Sequence, residues 1–268
     1  MLKKRIILIA VSAVTVWLIF LLPKSVVENE AELKQSNPVV TAEEAHSQVD
    51  AQLQNQINTL RVRLSTEANQ RNSAIFADSL AVLYQKATRY DSAAWYRDQA
   101  NAFFETPESN LKTAEAYFQA FSFAIENSKR KDLALKAREY FQKVLNQDPD
   151  NLDVKTKMAL TFFGTGEPPM PGVSLLREVL REDPKFKPAL FNMGILSVQS
   201  QQYGKAIDWL TQLLVLNPDD VQGVLLLGVA YSGNGDKASA REQFEKAKKL
   251  EADPAVQQQA DAYLKDLQ

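Results

Sequence analysis

The chain of 268 residues contains no cysteine and a single histidine, His46. The absence of cysteine excludes disulfides, thiolate metal sites and cysteine nucleophiles, so the fold has to be held together by packing alone. Sequons of the form Asn-x-Ser/Thr are also absent, and both absences favour a bacterial envelope protein over one of a eukaryotic lumen. His46 is interpreted as a solvated residue of a helix, and no nucleophile has a visible base. We therefore predict no catalytic residue, no metal site and no cofactor.

An excess of charge of one sign is missing too. Lysine and arginine number 31 against 33 aspartates and glutamates, which gives a formal net charge of -2 and a pI near 5.7. Phosphate backbones are bound by basic surfaces, so nucleic acid is not an expected partner. Hydrophobic residues make up 45% of the chain and charged residues 24%, as in an average globular protein. Most of the chain should form one folded body.

Long apolar runs are confined to the amino terminus. Residues 6–22 form an apolar run with two polar interruptions, preceded by the basic residues 3–5. This length is at the short end of what a membrane-spanning helix needs. Pro23 lies where a cleavable signal would need a small residue, so an uncleaved anchor over residues 1–24 is favoured. The basic residues predict a cytoplasmic amino terminus in a bacterial inner membrane, with the remaining chain in the periplasm.

The segment after the anchor has two parts. Residues 25–40 are polar and acidic and predict a flexible linker. Residues 41–72 are predicted to contain an amphipathic helix, in which apolar residues recur every three or four positions, at Val49, Leu53, Ile57, Leu60 and Leu64. The stripe over residues 49–64 has the spacing of a heptad seam and predicts a homodimer. The alternative is that this helix covers the first hairpin of the body.

A 34-residue repeat lies toward the carboxyl end. Leu190, Met193, Gly194, Ala206, Leu210 and Leu213 are followed 34 residues later by Val224, Leu227, Gly228, Ala240, Phe244 and Ala247. A period of this length with small residues at fixed places is typical of stacked helical hairpins. Weaker copies of the spacing predict five hairpins and a capping helix, over residues 74–107, 108–151, 152–186, 187–220, 221–254 and 255–268.

These spacings resemble the tetratricopeptide repeat (TPR). The resemblance is carried by Gly194 and Gly228 at the eighth place of the repeat, Ala206 and Ala240 at the twentieth, and Pro218 near the thirty-second. Small residues at these places let the two helices of a hairpin approach closely. The resemblance implies an all-α, right-handed TPR solenoid of helical hairpins over residues 73–254, behind an N-terminal single transmembrane helix.

The chain departs from the TPR pattern at two points. Gly172 stands where the family has alanine, and the second hairpin needs an insertion, which Ser128 to Lys131 would absorb. The turn of the third hairpin, Gly164 to Gly172, contains three prolines and three glycines, which predict a distinct, stiff loop. This loop is either a second contact surface or a rigid insertion in which Met170 covers a neighbouring repeat.

A second apolar stripe on the first helix of each hairpin, about a hundred degrees around from the packing stripe, predicts a peptide-binding groove. The predicted groove residues are Leu160, Phe163, Phe191, Ile195, Val198, Leu225 and Val229. Such a groove favours apolar extended or helical peptides, unless the chain itself or a second copy fills it. The family's clamp for a terminal carboxylate needs lysine, asparagine and arginine at set places, of which only Lys157 and Asn192 are present.

The layout looks like that of the anchored repeat protein that accompanies the bacterial Sec translocon. It is also similar to the repeat domain that presents apocytochrome for haem attachment. These resemblances imply a non-enzymatic TPR adaptor that binds a protein or peptide client at the extracytoplasmic face of the membrane, in the secretion or assembly of envelope proteins. The alternatives are a self-associating envelope scaffold and an apoprotein-binding factor of the cytochrome c maturation type.

Overall fold

The computed structural model describes residues 50–267. The structure does not describe the predicted anchor over residues 1–24, the predicted linker over 25–40, His46 or the first part of the amphipathic helix. Among the residues described, no helix is both long enough and apolar enough to cross a membrane.

The chain divides into two compact units, residues 1–54 and 55–268. Of the first unit, only the start of one helix is described. The part of the chain that the structure describes is all-helical, without strands, and consists of α1 (Ala51–Thr66), α2 (Gln70–Lys86), α3 (Tyr90–Phe104), α4 (Pro107–Phe123), α5 (Asn127–Leu145), α6 (Leu152–Leu160), α7 (Met170–Glu182), α8 (Lys187–Gln199), α9 (Tyr203–Leu216), α10 (Val221–Gly233), α11 (Lys237–Leu250) and α12 (Pro254–Asp266).

The helices from α2 to α11 form five hairpins, because each pairs with the next along the chain. Each hairpin also contacts the following one, and α12 packs on α11. The first helices of the third, fourth and fifth hairpins touch one another, α6 against α8 and α8 against α10. The prediction of an all-α solenoid of stacked hairpins is confirmed, and its core is a series of clusters shared between neighbouring hairpins.

Polar side chains set where several helices begin. The side chain of Asn151 accepts a hydrogen bond from the Val154 amide at 3.1 Å at the start of α6, and Asp220 does the same for Gly223 at 2.9 Å at the start of α10. Amides in the first turn of a helix have no partner within the helix, so these contacts satisfy groups that would otherwise lack one. These two capping residues therefore fix where the third and the fifth hairpins begin.

The apolar stripe of α1 is buried or half-buried within a single chain. Ile57 is 1% exposed, and Leu53, Leu60 and Leu64 are half-buried. This placement is compatible with a helix that covers the body of the protein. Pairing of two copies through residues 49–64 stays a prediction.

The second hairpin takes up its extra residues as helix. Its helices α4 and α5 are 17 and 19 residues long, and Ser128 to Lys131 lie in the first turns of α5 instead of forming a loop. Asp98 of α3 joins this hairpin to the first one, because it accepts hydrogen bonds from the hydroxyls of Tyr117, at 2.7 Å, and of Tyr140. Burial, followed by the hydrogen bond to Asp98, raises the pKa of each tyrosine above 10.0.

The third hairpin has a shortened first helix. Helix α6 has nine residues, whereas α8 and α10 have 13 each. The loop after it spans residues 161–169, so it begins and ends earlier than the predicted loop over 164–172. Proline fits the first turn of a helix, where its missing N–H leaves no bond unmade, and Pro171 accordingly lies in the first turn of α7.

Candidate functional site

The structure separates the seven predicted groove residues into three groups. Phe191, Ile195 and Val198 lie together on α8, each half-buried. Leu160 at the end of α6 and Val229 on α10 are also half-buried, on the two first helices that flank α8. These five positions therefore lie on the first helices of three successive hairpins, and the peptide-binding groove they would form stays a prediction.

The other two predicted groove residues lie elsewhere. Leu225 is 3% exposed and belongs to the core cluster that contains Phe244 of α11 and Leu264 of α12. A side chain buried to this extent cannot present a binding surface, so the placement of Leu225 in the groove is corrected. Phe163 follows α6 instead of lying on it, because that helix ends at Leu160. Its ring lines a different cavity.

The predicted packing positions lie at close approaches between helices. Ala206 and Ala240 are fully buried, whereas Pro218 is exposed in the turn after α9. A Cβ atom on Gly194 would lie 2.6 Å from the side chain of Leu210, and one on Gly228 would lie 2.5 Å from the ring of Phe244. Glycine at the eighth place of these two hairpins therefore leaves room for a large side chain at the twenty-fourth.

A cleft of about 730 Å³ opens between the third and fourth hairpins, beside the loop 161–169. Because α6 stops after nine residues, the loop and the start of α7 form one wall, and the end of α8 with the start of α9 forms the other. Its apolar lining consists of Phe162, Phe163, Met170, Val173, Met193, Leu196 and Trp209. This volume lies within the range of about 300–1,000 Å³ that is usual for ligand pockets.

The loop wall of the cleft is fixed to the second hairpin. Arg138 of α5 forms an ion pair with Glu167, and its guanidinium carbon lies 4.1 Å from the centre of the Phe162 ring. Arg130 of the same helix donates a hydrogen bond to the Gly164 carbonyl at 3.4 Å. Gly164 and Gly166 have φ angles of +74° and +78°, in the left-handed region that favours glycine. The cleft is therefore pre-formed, with one wall held by α5.

The third hairpin is also held together by a buried lysine. Lys155 of α6, whose side chain is 9% exposed, lies 2.7 Å from Glu182 and 3.0 Å from Glu178 of α7. Burial lowers the pKa of Lys155, but the hydrogen bonds with both carboxylates outweigh burial and raise that pKa above 10.5. Lys155 is therefore charged at neutral pH, and it fixes the short helix against its partner.

Replacing Glu167 by glutamine is expected to lower the free energy of unfolding by about 1 kcal/mol at neutral pH, since it weakens the charge-assisted bond to Arg138. That hydrogen bond lowers the pKa of Glu167 below its ordinary value of 4.5. A carboxylate with a depressed pKa stabilises the fold above its unfolded pKa, and this stabilisation is lost as the pH falls through the folded pKa.

Urea unfolding of both proteins between neutral pH and about pH 3 measures this effect. The two free energies should differ at neutral pH and converge on acidification. Glu105→Gln is a matched control, because Glu105 is exposed and no hydrogen bond or ion pair links its side chain to another described residue. A difference between wild type and Glu167→Gln that persisted at about pH 3 would show that the carboxylate charge is not what fixes the loop.

The two residues that match the family's carboxylate clamp are engaged elsewhere. Lys157 forms an ion pair with Glu115 of α4, and the side-chain amide of Asn192 donates to the Pro188 carbonyl at 2.7 Å. Both side chains therefore have a partner within the fold. The structure offers no pair of free donors for a terminal carboxylate at these places of the described repeats.

Comparison with known proteins agrees with the fold. The family model described as tetratricopeptide repeat matches residues 221–254, which contain α10 and α11. The protein contains a tetratricopeptide repeat at residues 221–254, within a solenoid of helical hairpins. Its similarity to solved TPR structures shows the fold alone, because sequence identity is below one quarter. The TPR protein TTC0263 of Thermus thermophilus covers 71% of this chain with 98% of its own, at 19% identity and a TM-score of 0.52. The MamA protein covers 68% with 93% of its own, at 17% identity and a TM-score of 0.51.

Two curated relatives share a stretch of this chain. Cellulose synthase operon protein C of Escherichia coli K12 is 36% identical over 97 residues, which are 35% of this chain and 8% of that protein. The putative cellulose synthase operon protein C of Escherichia coli O157:H7 matches to the same extent. This chain therefore spans less than a tenth of the length of either relative. A match of this extent carries no activity with it.

Sequence reasoning identified the loop but missed most of the cleft. Trp209, Arg177 and Lys205 come from helices α7 and α9, the second helices of their hairpins, which the predicted groove did not include. No signal in the sequence linked Trp209 to the loop 161–169, because the two lie in different hairpins. Their closeness depends on the length of α6, which the repeat spacing does not give.

Proposed function

We propose that this TPR protein is a non-enzymatic adaptor that holds a segment of another protein in the cleft between the third and fourth hairpins. The cleft itself carries the proposal: it is pre-formed, mostly apolar and bordered by a few charged groups. Binding into a fixed apolar site avoids the entropic cost of ordering a loop. Met170, which is 55% exposed at the rim, is a free apolar contact rather than a cover for a neighbouring repeat.

The half-buried surface on α8, with Phe191, Ile195 and Val198, extends the proposed contact area across the first helices. Interfaces larger than one pocket are usual for adaptors, since a few anchoring side chains supply most of the binding energy while the surrounding contacts exclude water. We assign the anchor to the cleft and the surrounding contacts to this surface.

We propose further that the adaptor acts at the extracytoplasmic face of a bacterial inner membrane, in the secretion or assembly of envelope proteins. The apolar run over residues 6–22 and the basic residues before it support this placement. A self-associating scaffold is the alternative, in which residues 49–64 pair two copies.

Site-specific photo-crosslinking in native membranes tests the adaptor function. A photoreactive amino acid at Met170 or Leu196, both lining the cleft, should yield adducts with one or a few foreign proteins, which mass spectrometry identifies. The matched control is Val215, which is 75% exposed and does not line the cleft, and it should yield none of these adducts.

Two other results would contradict the assignment. Adducts only with a second copy of the chain would replace the adaptor by the scaffold. Foreign adducts from Phe191 but none from Met170 or Leu196 would move the client-binding site from the cleft to the α8 surface.

A further inference from the structure

We infer that the cleft selects an acidic client segment, in which a bulky apolar side chain fills the apolar floor and neighbouring aspartate or glutamate side chains lie at Arg177 and Lys205. This inference rests on the proposed function and names the chemistry of the client. The inference depends on which charged side chains of the cleft already form an ion pair within the protein and which do not.

The floor of the cleft fits a large apolar side chain. Phe162 and Phe163 contribute from the loop, Leu196 from α8 and Trp209 from α9. Aromatic rings bury large areas and are enriched where one protein anchors a side chain of another. An aromatic or aliphatic residue of the client would therefore supply most of the affinity.

The charge of the cleft is positive once internal pairs are removed. Glu167, the one carboxylate in its lining, is paired with Arg138. Arg177 of α7 is exposed and makes no ion pair or hydrogen bond with any other residue in the described range. Lys205 of α9 donates at 2.6 Å to the neutral amide oxygen of Gln202 and likewise has no carboxylate partner there.

Asp208, the carboxylate of α9, does not pair with Lys205. It lines a second cavity that shares Lys205 and Trp209 with the cleft, but it does not line the cleft itself and forms no ion pair with Lys205. Two cations therefore border an apolar floor in a protein whose formal net charge is -2. Charged rims of this kind act mainly on the choice of partner, because a like charge opposite them is repelled. An acidic segment satisfies both cations, whereas a basic segment is excluded.

Selection from a library of random 12-residue peptides on the full-length protein in detergent micelles tests this inference. Peptides selected by the wild-type protein should combine Trp, Phe or Leu with flanking Asp or Glu. Their binding, measured by fluorescence anisotropy, should fall at least about tenfold in the double variant Arg177→Glu/Lys205→Glu and several-fold between low and high salt. Trp209→Ala, or the more exposed Met170→Ala, should also weaken binding.

The matched control is Arg181→Glu/Lys187→Glu, which changes the net charge by the same amount at two exposed residues outside the cleft. It should bind the selected peptides as the wild type does. Peptides that depend on Trp209 and Met170 but lack acidic residues, or tolerate the charge reversal at Arg177, would overturn the inference and leave the adaptor function standing. Peptides insensitive to every cleft variant would overturn both.

Discussion

Replacing Gly172 by alanine is expected to lower the free energy of unfolding by about 3 kcal/mol, although alanine is the residue that the TPR pattern has at this place. A Cβ atom on Gly172 would lie 2.5 Å from the carbonyl oxygen of Ala159 and 2.7 Å from the ring of Phe163. The carbonyl belongs to the backbone of α6 and cannot rotate away. Helices α6 and α7 would have to separate, and the wall of the cleft that contains Phe163 would move with them.

Gly204→Ala is the matched control for this substitution. Gly204 lies near the start of α9, and no atom lies within 4 Å of the place where its Cβ would be. Because alanine favours helix over glycine, this change should be neutral or stabilising by up to about 1 kcal/mol. Urea unfolding followed by circular dichroism compares the two variants. Equal free energies for Gly172→Ala and wild type would show that the third hairpin can widen without cost.

Gly172 also shows where a repeat pattern stops being informative. The pattern predicts a small residue at the twentieth place, and alanine is fully buried there in the fourth and fifth hairpins, at Ala206 and Ala240. In the third hairpin a Cβ atom at this place would meet the backbone of the shortened α6 at 2.5 Å, near the start of α7. The departure from the pattern is therefore required by the local geometry.

The repeat period predicted the order of the helices well because it depends on local properties of the sequence. Hairpins such as α8–α9 and α10–α11 follow from apolar residues that recur with the period of a helix and from small residues at fixed places. Leu225 was wrongly assigned to the groove because that assignment used only its angle around the helix. The angle does not tell which neighbouring helix covers a side chain, and here α11 and α12 bury Leu225.

The cleft could not be predicted, because it depends on contacts between residues far apart in the sequence. Arg138 and Glu167 are separated by 29 residues, and no periodicity links them. The loop sequence indicated a stiff loop, but the position of the loop is set by its contacts with α5. The opposite wall of the cleft comes from α8 and α9, which lie in the next repeat. A site formed between repeats is visible only when the whole stack is assembled.

Replacing Phe244 by alanine is expected to lower the free energy of unfolding by about 4 kcal/mol. Phe244 is 1% exposed; its ring lies over Gly228 and stacks on Tyr263 of α12 at a centroid distance of 4.9 Å. It therefore connects both helices of the last hairpin to the helix that caps the stack. Without the ring, the space over Gly228 would be left as a cavity that rigid helices cannot fill.

The loss should be local, since each hairpin of a repeat protein is stabilised mainly by its direct neighbours. Hydrogen exchange followed by mass spectrometry should show faster exchange of Phe244→Ala in α10, α11 and α12, while α2 to α5 keep the protection of the wild type. Val215→Ala, at a side chain that is 75% exposed, is the control and should change neither stability nor exchange by much. Loss of protection along the whole stack would instead mean that the hairpins unfold as one unit. The stability of the cleft would then depend on the packing of α12 as well.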